Sequence, residues 1–232
     1  MLTLKYEEEN LTTAYLHLKS QFIKKISTLN PFSINLNTID NSAREDVVKF
    51  IQNVYKKSFN ADINVDYPVL MSVHDENNTI LAAVGIRYAA HTPLFLERYT
   101  QAPIESFLGT DRNQIVEIGN LASAGHGASV FIFNALCAYL NDQHIQFAAI
   151  TGTSFLHRYF DRLGLQPREI CPASGMLNPL ELKHWGDYYE TNPRVLVGSI
   201  KHSAEKLQVL FGAQFERTNA IKALVHQPMC CG

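Results

Sequence analysis

The chain has 232 residues, 46% of them hydrophobic and 18% charged, with a formal net charge of −2. That length admits one substantial core. A charge so near neutral excludes a global field that would draw the whole protein to nucleic acid or an anionic membrane. The acidic start "MLTLKYEEEN" lacks the apolar segment of a secretory signal, and no apolar run reaches the ~18 residues of a membrane span, so a cytoplasmic location is expected. The four cysteines (Cys137, Cys171, Cys230 and Cys231) show no CxxC or Cys/His spacing. The nine histidines show no HExxH, so no metal is expected.

In chain order, "NLTTAYLHLKSQFIKKISTL" places Leu11, Tyr15, Leu18, Phe22 and Ile26 at helical spacing with lysines on the other face. This predicts an amphipathic helix within residues 1–30, packed on a domain spanning 31–216. "FSINLNTI" alternates as a strand, and "SAREDVVKFIQNVYKKSF" is a helix with Ser42 as N-cap and Glu45 completing a capping box. "YPVLMSVHDENNTILAAVGIRYAA" reads as a hairpin around a polar turn. "TPLFLERYTQAPIESFLG" reads as a short strand and then a helix opened by Pro103. Next come a strand, "QIVEIGNLA", a nearly all-apolar helix, "ASVFIFNALCAYLNDQ", and a buried strand, "FAAITGT". Cys137 lies in that apolar helix, where burial is expected. "SFLHRYFDRLG" is a helix capped by Thr153 or Ser154 and ended by Gly164. A strand in "LQPREICPA", a helical "NPLELKHWGDYYE", a strand "RVLVGSI" and a last helix "HSAEKLQVLFGAQF" follow. Residues 217–232, with Cys230 and Cys231 but no CaaX spacing, read as an exposed tail.

The stretch "VEIGNLASAGHGAS" passes from a strand through a glycine-rich turn into a helix. Glycines at 125 and 127 let backbone amides approach an anion, and the following helix points its positive end at the same place. By itself a short GxG also fits a plain loop-to-helix turn. The order of elements around it resembles the GNAT acyltransferase superfamily, in which such a turn binds the pyrophosphate of acyl-CoA. "PLFLERY" with "PIE", "IVEIGNLA", "TGT…RLGL" and "WGDYYETNPRV", over roughly residues 40–200, more closely resemble the thermostable hemolysin family. That family looks like a divergent GNAT branch with distant similarity to acyl-homoserine lactone synthases, which take acyl groups from carrier protein.

The resemblance implies an α/β fold with a GNAT-like, mixed, mostly antiparallel twisted sheet flanked by helices, with extra helices at both termini. It also implies an N-acyltransferase whose donor is acyl-CoA or a phosphopantetheine-linked acyl group on acyl carrier protein, and whose acceptor is a small-molecule amine. Two positions depart from the GNAT pattern. Ala122 stands where Q/R-x-x-G-x-G/A has its Gln or Arg, and Phe160 stands where many members carry a tyrosine, with Tyr159 one position earlier. A carrier-bound donor, having no ADP moiety, would tolerate the first departure. For the second, one residue is about 100° of helix rotation, so Tyr159 is either a general acid for the leaving thiolate or a packing residue.

Glu117, in an apolar strand before the turn, is the candidate base. Partial burial would raise its pKa toward neutrality; its alternative is a structural carboxylate bonded to backbone or arginine. Backbone amides near Asn120 and Leu121 are candidate donors to the thioester carbonyl. Ala122, Gly125, His126, Gly127 and Ala128 belong to the candidate phosphate turn. Thr151 and Thr153 would reach the pantetheine arm, Thr153 competing with a capping role. Arg158 and Arg162 share a helix face and either meet a phosphate or carrier protein or stay solvated. Glu97 and Arg98 would line the acceptor pocket or form a surface ion pair. Two other readings stand beside the enzyme: a membrane-active hemolysin, and a non-catalytic GNAT-like binding module.

Overall fold

The computed structural model describes residues 1–9, 11–174 and 178–218. The chain begins with strands β1 (Leu2–Glu8) and β2 (Leu11–Leu18), a one-turn helix α1 (Ser20–Ile23), β3 (Pro31–Asn37) and helix α2 (Arg44–Phe59). The hairpin β4 (Val69–Asp75) and β5 (Ile80–Tyr88) leads to two short helices, α3 (Glu97–Thr100) and α4 (Glu105–Leu108). Then come β6 (Ile115–Ser123), α5 (Ser129–Asp142), β7 (Phe147–Gly152), α6 (Ser154–Arg162) and β8 (Arg168–Pro172). The chain continues through α7 (Pro179–His184), a 3-10 turn at Gly186–Thr191, β9 (Arg194–Ser199), α8 (Ile200–Phe211) and β10 (Gln214–Arg217).

The strands form one sheet in the order β10-β2-β1-β3-β4-β5-β6-β7-β9-β8. Among its neighbours only β1–β3 and β6–β7 run parallel. This is the mixed, mostly antiparallel sheet that was expected. Helices α5 and α8 cover one face, where Phe131, Ile132 and Leu140 pack with Leu4, Ile34 and Val84. Helix α2 covers the other, with Val47, Ile51 and Tyr55 against Leu70, Ala83 and Ala122. Local chemistry fixes the joints. At the β4–β5 turn the Asp75 carboxylate accepts from the amides of Asn77 (2.9 Å) and Thr79 (2.8 Å), and Asn78 takes φ 61°. Helix α2 carries Glu45 and Asp46 in its first turn and Lys56 and Lys57 in its last, matching the helix dipole.

Four sequence expectations need correction. The predicted N-terminal helix is a strand followed by a single helical turn. Ala14, Leu16 and Leu18 alternate inward while β2 pairs with β1 on one side and β10 on the other. That period-2 pattern, backed by two ladders, wins over the helical one. The extra N-terminal element is therefore sheet, and β10 likewise extends the sheet beyond α8. Arg217 belongs to β10, while Cys230, Cys231 and the rest of 219–232 lie outside the described residues. Helix α2 starts at Arg44 without a side-chain cap, so Ser42 forms no capping box; instead the Asn41 side chain accepts from the Ala43 amide at 2.9 Å. Residues 92–96 form turns rather than a strand, because two buried or half-buried carboxylates hold their amides, as described below.

Candidate functional site

The site begins where two strands part. Strand β7 pairs with β6 only from Ile115↔Phe147 to Ile118↔Ile150, yet β6 runs on to Ser123. On its other side β6 bulges. Gly85 faces Gly119 and Ala83 faces Ala122, so Asn120 and Leu121 together oppose Val84. Asn120 takes φ 50°, the left-handed conformation an asparagine tolerates. Two cavities, of about 430 and 480 Å³, open on either side of this bulge. Tyr55, Gly119, Asn120, Thr151 and Tyr188 line both.

The first cavity is aromatic. Tyr67 lies across the strand pair, and a Cβ on Gly85 would stand 2.4 Å from its Cγ, one on Gly119 1.9 Å from its hydroxyl. The two facing glycines are therefore a slot for this ring. Trp185 packs against both Phe95 and Tyr188, with ring centroids 5.9 and 5.2 Å apart. The Tyr99 and Tyr189 hydroxyls are bonded at 2.5 Å. Arg98 lines the cavity, stacked 5.3 Å from the Phe95 ring and paired with Glu181 at 2.8 Å. Asp62 and Asp66 also line it.

Glu117, the sequence's candidate base, lines neither cavity and is 1% exposed. Its two oxygens accept the amides of Phe95 (2.8 Å) and Leu96 (2.9 Å), and Arg87 stands 3.5 Å away. Burial pushes its carboxyl above the ordinary range; the two amides and Arg87 pull back only part of that rise. Glu117 thus holds the segment that presents the Phe95 ring to the cavity. Glu97 is likewise internal. Its oxygens accept from Leu94 (2.8 Å) and Ile104 (2.9 Å) and meet Arg112 at 2.6 Å. Burial pushes its carboxyl up, but Arg112 and those amides outweigh burial and leave it below the ordinary range. Of the "FLERY" pair only Arg98 reaches the cavity.

The second cavity opens on the glycine turn. Gly125, His126 and Gly127 have φ of 87°, 51° and 78° in succession. Gly125 and Gly127 line the cavity together with Leu121, Thr151, Thr153 and Ser129 of the first turn of α5. A Cβ on Gly127 would sit 2.4 Å from the carbonyl oxygen of Ile26, and Ser27 Oγ donates to the His126 carbonyl at 2.7 Å. The turn is therefore clamped by the segment after α1. Tyr159 also lines this cavity, and Ser129 Oγ donates to its hydroxyl at 3.5 Å. Phe160 instead points into the core against Phe133, with centroids 5.2 Å apart. The Thr153 hydroxyl accepts from the Leu156 amide at 3.3 Å, so it caps α6 as well as lining the cavity. Thr151 Oγ1 is buried with no partner among the described residues.

Other sequence candidates fall elsewhere. Ala122 and Ala128 are buried in the two cores, Ala122 under α2, and line neither cavity. His126 and Arg158 are exposed and line neither. The aromatic wall of Tyr67, Trp185, Tyr188 and Tyr189 went unassigned in the sequence, although "WGDYYE" put three of its rings within five residues. Among the described residues, no three His, Cys, Asp or Glu side chains group as metal ligands, and no helix is long and apolar enough to cross a membrane.

Among solved structures, the chain resembles the AHL synthase LasI with a TM-score of 0.53 and 13% identity, covering 76% of this chain and 92% of that one. Apo TofI gives 0.53 and 11%, covering 75% and 95%. BjaI, a CoA-dependent acyl-homoserine lactone synthase solved with SAM and isopentyl-CoA, gives 0.53 and 11%, covering 76% and 87%. At these identities the likeness is one of fold. No curated protein matches the chain. The thermostable hemolysin family model matches residues 38–204, and on that span the chain belongs to the thermostable hemolysin family.

Proposed function

We propose that this protein is an acyltransferase that moves an acyl group from a thioester donor, acyl-CoA or acyl carrier protein, to the amine of a small molecule. One observation carries the reading: two cavities of small-molecule size meet at Asn120, where β6 and β7 part. The glycine turn and the first turn of α5 suit the phosphate end of a pantetheine arm. The parted strands free β6 backbone beyond Ile118 to receive the arm and the thioester carbonyl. The fold of BjaI, solved with SAM and isopentyl-CoA, offers a precedent for holding a thioester beside a second small molecule.

In this reading the amine enters from the aromatic cavity and attacks the thioester carbon. The N–C bond forms, the oxyanion is met by polar groups at Asn120 and Leu121, and the C–S bond breaks. Tyr159 donates its proton to the leaving thiolate and is reprotonated from solvent. The proton shed by the attacking ammonium passes to Asp66 at the cavity mouth through water. Glu117 is assigned a positioning role, through Phe95 and Leu96, in place of the base role its sequence position suggested.

The test is thiol release by purified protein offered acyl-CoAs, acyl carrier protein and amines. Release requiring both a donor and an amine is the expected result. No release with any donor, together with lysis of erythrocytes by the protein in lipid-free buffer, would sink the enzyme in favour of a membrane-active protein.

A further inference from the structure

We infer that the acceptor is a cationic amine with an aromatic or alkyl body and no carboxylate, of the arylalkylamine class rather than the amino acids. The inference rests on the acceptor side of the acyl-transfer reading but is argued from the first cavity alone. Its walls carry the rings of Tyr55, Tyr99, Trp185 and Tyr188, of which Trp185 packs on both Tyr55 and Tyr188. Such walls favour a flat apolar body, and they favour an organic cation over an anion because the ring faces carry negative potential.

Charge at the mouth points the same way. Three carboxylates line the cavity, Asp62, Asp66 and Glu181, beside Arg98 and His184, and Asp62 is paired at 2.9 Å with Lys56, which lies outside the lining. Arg98 is already engaged, paired with Glu181 at 2.8 Å and stacked on Phe95. Arg87, behind the wall, is engaged by Glu117 at 3.5 Å and by Asp66 at 3.1 Å. Each lining carboxylate is paired as well, but Asp62 and Asp66 each use one oxygen in those pairs, so an incoming carboxylate would meet carboxylate oxygens and an arginine already engaged. An incoming ammonium meets carboxylates and rings. Asp66 is 63% exposed, able to meet solvent and ligand alike.

Trp185 supplies the measurement, because it is the single tryptophan of the chain and stands in the cavity wall. Its fluorescence is titrated in the full chain, without thioester, using four probes: 2-phenylethylamine, its trimethylammonium derivative, L-phenylalanine and 2-phenylethanol. The two cations should give saturable responses with affinities within about threefold of each other, and the zwitterion and the alcohol should bind at least tenfold more weakly. Asp66→Asn should weaken both cations at least fivefold without changing the response to 2-phenylethanol. Glu181→Gln provides a second, independent neutralisation with the same expected direction. Phenylalanine binding as tightly as phenylethylamine, the alcohol matching the amine, or no saturable response to any probe would each overturn the inference. Since no donor is present, these outcomes are separate from a failure of thiol release, which would overturn acyl transfer and leave the cation site standing.

Discussion

The two cavities that meet at Asn120 are built by opposite means. The aromatic one is carved by side chains: Tyr67 rests in a glycine slot, and Phe95 is hung from Glu117 through two backbone amides. The other is opened by backbone, where β7 leaves β6 and three consecutive residues take positive φ. Side-chain carving makes a cavity of one shape, dependent on a few buried contacts. Backbone opening makes a slot indifferent to most side chains, which on the proposed reading would suit a donor arm of constant chemistry. The contrast matches a binding partner of variable chemistry on one side and of constant chemistry on the other.

The contrast breaks most sharply at Gly119. Gly119→Ala puts a methyl 1.9 Å from the Tyr67 hydroxyl, so the ring must leave its slot. Overpacking of this kind costs about 1–3 kcal/mol, and a fall in thermal midpoint with loss of the Trp185 response to phenylethylamine is expected. Unchanged binding would show that the slot does not set the cavity's shape.

Glu117→Gln tests whether the aromatic side hangs from a carboxylate. One of its two oxygen acceptors becomes an NH₂ donor facing a backbone amide, a loss of about 1–3 kcal/mol. The pH dependence carries the sign. Burial raises the folded-state carboxyl above its unfolded value, so its contribution to stability is fully present below the unfolded pKa and is lost as pH rises through the folded one. Denaturant titrations should therefore show wild-type stability falling from the ordinary carboxylate range toward neutrality, with that component missing in the glutamine variant. Parallel pH curves for the two proteins would contradict this.

Tyr159→Phe sharpens the other side with the smallest structural effect. The hydroxyl's described contact is a long 3.5 Å hydrogen bond from Ser129, so stability should move by no more than about 0.5 kcal/mol. Turnover should drop roughly 10²-fold in kcat with little change in donor KM if the phenol is the general acid. A KM change alone would make it a wall residue.

Much of the fold was legible in the sequence because most elements satisfy only one period. "VLMSVHD" and "ILAAVGIRY" flank a turn whose asparagine takes φ 61°, and α2, α5, α6 and α8 stand where apolar spacing put them, α6 with its expected Thr153 cap. The first strands were not legible because "LTTAYLHL" satisfies both periods. Leu11, Tyr15 and Leu18 suit a helix, while Ala14, Leu16 and Leu18 suit a strand. The deciding partner, Gln214–Arg217, lies some two hundred residues away. In the site, burial of Glu117 followed from its apolar neighbours, but the amides of Phe95 and Leu96 that saturate it did not, since only the tertiary fold brings residues 95 and 117 together. The aromatic wall was invisible for the same reason: Tyr67, Phe95 and Trp185 come from three segments with no shared spacing.

The clamp on the glycine turn has a consequence for how that turn is understood. Gly127 is demanded by the carbonyl of Ile26, which occupies the space its side chain would need, while Gly125 has open space around its α-carbon and is demanded by its own dihedral angle. Gly127 thus answers both to a protein neighbour and to its own dihedral angle, and Gly125 to chain geometry alone, before any ligand arrives. The segment between α1 and β3 is then part of the glycine turn's architecture. Any chimera that exchanged the segment ahead of β3 for another protein's would inherit a turn without its brace.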